Sequence, residues 1–583
     1  MNTTSYRMLT SALVMVCIAF CVSCSGSQKK KSNALTDELK IPEHFKYIPA
    51  DSPYVVTSIK SLPYKELGWR VDAQYEYSVK SLSEMSKQAI QGYGSFEAMP
   101  AEQRLLTAIT EELEAHNTVD SLKQLGITTE GHFSMYGIGV FPAFRLELDD
   151  ASKFEAMLQR IEARVGESMP TKQVGKYKVR YIDDPKMMMP IIVTETELLF
   201  GFSSAEFGSE FVEYLVGTKK PAKNLYEDNK LLAMQKQYKM LPYVSGYADF
   251  KGLTSAMLSK DPNSLVVKTI ESTGEQIPEV SQACKDEYSQ LTQDVPRAVF
   301  GYTDVSRTNV KGFMALEVVN ELPGRLKAMK APAPAYDSKL RKEALFALAL
   351  GFNVDKTIEV LREEAKRIGS APYQCENLAW INESAENFYF SAQQVPPTFR
   401  SMLGTSLILS NLDFVMDGQP RVTALDFVGL MQNSDPETFF AAMSMFFPEI
   451  LGGVEIKPDL QPTSLQLPVD LTNNIPGIPV PMMVMSQQAL GLSMGSAMQG
   501  EASKYTKTAP EADTPLFGMT YDLAKIFRLI VQAMPANGGA PDVRNNMEMM
   551  AQTYQNFGPV TFSLDIRDGG FFMDYDVTMI PAE

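Results

Sequence analysis

The sequence predicts an α+β protein made of two similar domains, each with an antiparallel sheet and packed helices. Three observations lead there. Amphipathic stretches of helical period alternate with short strands and hairpins. The same order of elements returns in the second half of the chain, as an internal duplication would produce. Between the halves lies Lys330-Ala331-Pro332-Ala333-Pro334-Ala335-Tyr336, whose composition reads as a linker. The expected domains are residues 44–329 and 342–583, joined by 330–341 and preceded by a leader, 1–23, and a tether, 24–43. A chain of 583 residues is too long for one ordinary core, and its length alone allows two to four domains.

Residues 25–43 mix Ser, Lys, Asn, Thr and Glu with few apolar side chains, and read as a flexible tether. Order begins near Phe45. Ala50-Asp51-Ser52-Pro53 makes a turn, and Tyr54 to Ile59 is a strand by its β-branched content. Residues 75–116 read as helix, with Leu105, Leu106, Ile109 and Leu113 at helical spacing. Two alternating strands follow, Phe133 to Val140 and Ala143 to Leu148. Asp149-Asp150-Ala151-Ser152 then caps a helix from Lys153 to Val165, its carboxylates accepting the free amide hydrogens of the first turn. Strands Lys178–Ile182, Ile191–Val193 and Glu197–Phe202 come next. A helix around Ala205–Val216 follows, with Gly217 as its C-cap.

From there the pattern repeats. A strand giving way to a helix, usually at Asp or Asn, occurs at Tyr54–Leu67, Tyr243–Leu253, Leu345–Val354 and Leu516–Leu523. Phe144–Asp150 with its helix is answered by Val422–Val428 and the helix Thr438–Phe447, where Pro436 is tolerated in the first turn. Pro190–Phe202 is answered by Val480–Leu492. Hairpin Ala298–Val319 is answered by hairpin Pro559–Ile580, which turns at Asp568-Gly569-Gly570.

Little in the body points to catalysis. The net charge of −16 argues against nucleic acid or an anionic membrane surface as a partner. Gly491-Leu492-Ser493-Met494-Gly495 fits the nucleophile-elbow pattern, but such a serine needs a later histidine and none follows His132. The matching place in the first half, Gly201-Phe202-Ser203-Ser204-Ala205, makes Gly-apolar-Ser a structural turn of the repeat. No metal-ligand spacing occurs, and no phosphate-binding glycine loop, so neither metal nor cofactor is expected. Methionine is abundant, at 33 residues, and it clusters. Met187, Met188 and Met189, with Met482, Met483 and Met485, are read either as core filling or as an apolar binding surface. Ile475 and Ile478, in a proline-rich stretch unsuited to a central strand, join that candidate surface.

The most specific signal is at the start. Arg7 precedes an apolar run, Met8 to Val22, too short for a bilayer span, which has the layout of a secretory signal. Cys24 follows Cys21-Val22-Ser23 and precedes Ser25-Gly26-Ser27. This resembles the lipobox of bacterial lipoproteins, with Cys21 where Leu is usual. The resemblance covers only the first few tens of residues. It implies cleavage before Cys24, a diacylglycerol on its thiol and an acylated amine, and the Ser25 that follows resembles the outer-membrane pattern. An ordinary cleaved leader or an uncleaved signal anchor are the alternatives. The stretch Ile48-Pro49-Ala50-Asp51 loosely resembles the entry of uncharacterised bacterial envelope lipoproteins, which brings no activity with it. After cleavage Cys24, Cys284 and Cys375 remain, and an oxidising envelope permits a Cys284–Cys375 disulfide. The expectation is therefore a lipid-anchored, non-enzymatic envelope protein that binds an apolar ligand or a protein partner. The alternative is an envelope hydrolase acting on peptide or glycan through paired carboxylates.

Overall fold

A computed structural model describes residues 41–61, 64–183, 186–417, 419–468, 476–510, 513–534 and 541–580. Cys24 and Ile475 lie outside the described residues. The protein is mixed helix and sheet, and the strand pairings among the described residues are antiparallel. The chain forms two compact units. One ends at Val280 and takes in Val295–Arg307; the other comprises Ser281–Asp294 and Thr308–Ile580.

The first unit contains β1 (Tyr54–Ser58), β2 (Phe133–Ile138), β3 (Phe141–Glu147), β4 (Thr171–Val174), β5 (Tyr177–Asp183), β6 (Met187–Val193), β7 (Glu197–Gly201), β8 (Ser203–Ser204), β9 (Val244–Asp249) and β10 (Arg297–Ser306). Their order across the sheet is β10-β9-β1-β2-β3-β7-β6-β5-β4, with β8 also on β6. Strand alternation divides the side chains between two faces. Phe133, Phe144 and Phe200 join one apolar cluster, packed by Leu146 and Leu198. Ser134, Arg145 and Glu197 alternate with them and take the other face.

The helices Ala101–Ala115 and Ala151–Val165 bury a stripe against the apolar face. Phe154, Met157, Leu158 and Ile161 recur at three and four, and Leu105, Ala108 and Leu113 answer from the neighbouring helix. Asp150 caps the second helix by accepting from the amides of Ser152 and Lys153, at 3.0 and 3.2 Å. The single helix expected over 75–116 is two, Tyr64–Tyr93 and Ala101–Ala115. Gly94 turns left-handed at φ 84° and Pro100 stands at the next N-cap, so the helical spacing on either side is real but the chain between is not helix.

The second unit contains β11 (Asn309–Glu317), β12 (Phe346–Leu350), β13 (Met402–Asp417), β14 (Gln419–Asn433), β15 (Thr463–Ser464), β16 (Met482–Met485), β17 (Ala489–Met494), β18 (Phe517–Tyr521), β19 (Phe557–Arg567) and β20 (Gly570–Met579). Their order is β11-β20-β19-β18-β12-β13-β14-β17-β16-β15. Asn353 and Asp522 cap the helices that follow β12 and β18, as Asp249 does after β9.

The Pro/Ala stretch packs in this unit instead of spanning solvent. Ala331 and Ala333 are buried. Ala331 donates its amide to the Gly351 carbonyl at 3.0 Å, and the Ser406 hydroxyl donates to the Pro334 carbonyl at 2.6 Å. Alanine is small enough, and a proline carbonyl polar enough, for such a segment to lie along a sheet. The units divide instead on either side of the Ser281–Asp294 segment and after Arg307.

Candidate functional site

The best-formed cavity lies in the first unit, between the apolar sheet face and the helices Ala101–Ala115 and Ala151–Val165. Its volume is about 150 Å³. The strands contribute Phe133, Leu146, Ile191, Leu198 and Phe200, and the helices Ile109, Leu113, Phe154, Met157, Leu158 and Ile161. Polar groups gather at one end, where Thr128, His132 and Glu147 complete the wall.

Local sequence explains the frame. Arg160 reaches Glu112 at 2.7 Å and Arg164 reaches Glu111 at 2.8 Å, so the two helices are tied along their outer edge. These pairs are solvent-accessible and add specificity of alignment more than stability. Gly126, at φ 78°, accepts the Asp149 and Asp150 amides on its carbonyl, and a Cβ there would lie 1.9 Å from the Asp150 carbonyl oxygen. Only glycine allows that approach, and it sets the course of residues 127–132 across the polar end. At this end Glu147 accepts from the His132 amide at 2.8 Å. The His132 Nδ1 is buried with no hydrogen-bond partner among the described residues.

Behind β2 a polar group occupies the other sheet face. His44 Nε2 and Ser134 Oγ are 2.8 Å apart, and Ser134 Oγ is 2.6 Å from Thr57 Oγ1, which donates to the Phe133 carbonyl. A serine beside a histidine invites a hydrolase reading, but Ser134 is fully buried. Burial, with Arg145 and His132 nearby, pushes the His44 pKa down to about 3, which makes it a poor base at neutral pH. The group instead fastens residues 43–47 to the sheet.

That depression has a consequence for stability. An unfolded histidine takes a proton below about pH 6.5. Folded His44 resists protonation down to about 3. Between these values the unfolded state binds more protons, so stability present above pH 6.5 is lost as pH falls, by up to about 1.4 kcal/mol per unit. His44→Gln keeps a donor toward Ser134 and is expected to flatten this limb. Denaturant midpoints measured from about pH 7 to about pH 4 check it, and equal slopes in the two proteins would contradict it.

The methionines named from sequence lie in the two sheets, one group in each unit. Met188, Met189 and Met485 are buried, Met189 packing with Phe133 and Phe200, and Met485 with Phe439 and Phe440. Met187, Met482, Met483 and Ile478 are partly buried. None of them lines the cavity. Cys284 and Cys375 are joined by a disulfide within the second unit. Among the described residues one grouping of metal-donor side chains occurs, Cys284, Cys375 and Glu376, and its two sulfurs are bonded to each other. Ser493 sits inside β17, buried, its hydroxyl 3.4 Å from the Met482 carbonyl. Gly495 begins the next helix at φ 89°, where a Cβ would lie 2.5 Å from the Leu425 carbonyl oxygen. Gly491 to Met494 are therefore strand, and only Gly495 makes the bend into the helix, so the turn expected at the serine lies two residues later.

A second hollow, of about 190 Å³, lies in the second unit beside Ser410, Asn411, Asp413, Lys525, Arg528 and Gln532. Each of the two cavities has a single carboxylate in its wall, Glu147 and Asp413 respectively. Neither offers the pair that glycoside hydrolysis needs. Among the described residues no helix is long and apolar enough to cross a membrane. Compared with protein-family models, curated proteins and solved structures, the chain matches none.

Proposed function

We propose that the protein is a non-enzymatic lipoprotein of the bacterial envelope that binds an apolar ligand, held by lipid on Cys24 at the outer membrane and facing the periplasm. The cavity under the helices Ala101–Ala115 and Ala151–Val165 carries the binding half of this reading. Its interior is carbon, and its few polar atoms stand together at one end. That division suits a ligand with one apolar part and one hydrogen-bonding part. A well-packed core leaves few voids larger than a water molecule. An apolar cavity of about 150 Å³ in another protein stays dry and takes up benzene. The anchoring half rests on Ser23-Cys24-Ser25 and the apolar leader before it.

We also read the two units as copies of one ancestral domain. The support is strand order. From β10 the first sheet runs β10-β9-β1-β2-β3-β7-β6. From β19 the second runs β19-β18-β12-β13-β14-β17-β16, the same succession of sequence positions. In the second unit the helix Pro436–Phe446 packs Phe439, Phe440 and partly buried Met443 into a core cluster. Binding is assigned to the first unit, whose cavity is lined by apolar side chains.

The test is uptake of a small uncharged environment-sensitive dye with one ring, 4-dimethylaminobenzonitrile, by the full-length protein. One saturable site is expected, competed by short alkyl compounds. Ile109→Phe and Leu146→Phe fill the cavity and are expected to abolish the saturable signal while costing about 1–3 kcal/mol of stability. Dye binding unchanged in both variants would place the ligand elsewhere and defeat the proposal.

A further inference from the structure

Resting on the reading of Cys24 as a lipid anchor, we infer that the second unit makes a membrane contact of its own: the corner Met445-Phe446-Phe447-Pro448 enters the interface of a zwitterionic bilayer. The corner closes the helix Pro436–Phe446 and opens the one-turn helix Pro448–Leu451. The longer helix begins in the ordinary way, with Asp435 accepting from the Thr438 amide at 3.2 Å. Phe439 and Phe440 are buried and hold it to the core. Its other end is unusual. Met445, Phe446 and Phe447 are 78%, 62% and 53% exposed. A helix end in water ordinarily carries glycine or a basic side chain. The helix Ala151–Val165 does so, with Arg164 in its last turn and Gly166 left-handed at φ 85°. Single exposed apolar residues are common, but three in succession at one corner form a patch.

The geometry of the corner is fixed. The Phe399 ring lies 6.1 Å from Phe439 and 6.0 Å from Phe446, so it braces the exposed phenylalanine against the buried one. Phe447 donates its amide to the Met443 carbonyl at 2.9 Å, and its own carbonyl accepts from Leu451 at 2.9 Å. Pro448 has no amide hydrogen. Phe447 and Pro448 therefore carry no free amide into an apolar medium, where an unmet backbone group is costly. Charge selects the occupant. No charged side chain occurs from Thr438 to Pro448, whereas the chain as a whole carries −16. Glu437 and Glu449 bound the stretch, so an anionic lipid surface repels it and a zwitterionic one does not. Reach agrees with this occupant. Cys24 and Ile41 are 17 positions apart, at most about 60 Å of chain. A domain of this size has a radius of gyration of about 19 Å, so lipid on Cys24 keeps the bilayer within touching distance of the body. The covalent lipid supplies residence, and the corner sets which face of the second unit meets the membrane.

The test uses the full-length lipidated protein in phosphatidylcholine vesicles. With Cys24 acylated and Cys284 joined to Cys375, Met445→Cys gives the processed chain one free thiol, which takes a nitrobenzoxadiazole label. Glu195→Cys places the same label on a turn whose side chain is 91% exposed. The label at 445 is expected about 5–10 Å into the headgroup and acyl boundary, and spin-labelled acyl chains should quench it at least about fivefold more than the label at 195. Raising salt from about 0.1 M to about 1 M should leave that quenching unchanged, because apolar insertion is not screened. Adding Phe446→Ser and Phe447→Ser should bring it down to the level at 195. Equal quenching at the two sites, loss of quenching in salt, or quenching that survives both serines overturns the inference and leaves the anchor standing. Shielding that rises with protein concentration and needs no lipid means that a second copy covers the corner, which also overturns it. A chain without covalent lipid by mass spectrometry overturns the anchor reading, and this inference with it.

Discussion

Replacing Cys284 and Cys375 together by alanine is expected to lower the unfolding free energy of the second unit by about 4–5 kcal/mol. The bond closes a loop with a sequence separation of 91, and a loop that long restrains the unfolded chain strongly. Both cysteines are fully buried. The local structure has other supports. Glu287 accepts from the Gln374 and Cys375 amides at 2.7 and 3.0 Å, and Asn382 pairs with both backbone groups of Tyr373 at 3.0 and 2.9 Å. The folded geometry should therefore survive, and the loss should come from the freed unfolded chain. Urea unfolding with and without a thiol reductant separates the cases. Wild type under reductant should fall to the level of the double variant, and the double variant should ignore reductant. A midpoint unchanged by either treatment would contradict this.

The second large effect belongs to Arg145. Its side chain is 4% exposed and makes a two-pronged pair with Glu197, a bond from Nη1 to the Leu215 carbonyl at 2.9 Å, and a stack on the Tyr47 ring at 4.3 Å. Removing one partner of a buried pair leaves the other charge without compensation, at about 3–5 kcal/mol. Glu197 is 20% exposed, so water takes over part of its solvation and Arg145→Met is expected near the lower end, about 3 kcal/mol. Adding Glu197→Gln removes the stranded charge and is expected to restore about half the loss, a coupling that a double-mutant cycle reads directly. Additive losses in the cycle would mean that the pair is not the source of the effect.

The local elements were legible because their signals are local. Asp150, Asp249, Asn353 and Asp522 each cap a helix whose first turn follows within three residues. Gly217 ends its helix left-handed at φ 79°. The residues from Val560 to Ile566 form part of β19, though burial there does not alternate: Leu564 is exposed and Asp565 buried. The break between helices at Gly94 and Pro100 was written in the sequence as well, but amphipathic spacing on both sides concealed it.

The cavity was not legible, and the reason is geometric. Its walls come from positions 109 to 200, and only the crossing of two helices over one sheet face brings them together. Methionine misdirects attention for a physical reason: an unbranched, polarisable side chain suits a core and a binding surface equally, so clustering does not distinguish them. In the sheets Met189 and Met485 are core. A better pointer was the helical stripe Phe154, Met157, Leu158 and Ile161 facing the alternating residues of β3 and β7. The Pro/Ala segment misled in a similar way, since composition alone does not reveal that its carbonyls accept from Ser406 and Thr514.

The most direct measurement is native mass spectrometry of the full-length protein extracted from membranes in mild detergent. The expected spectrum shows a chain beginning at Cys24 with covalent lipid, carrying one further apolar molecule held without a covalent bond. Ile109→Phe should keep the covalent lipid and lose the second molecule. A protein that carries nothing beyond its covalent mass, or one whose bound molecule survives filling of the cavity, would contradict the assignment of this cavity as the ligand site.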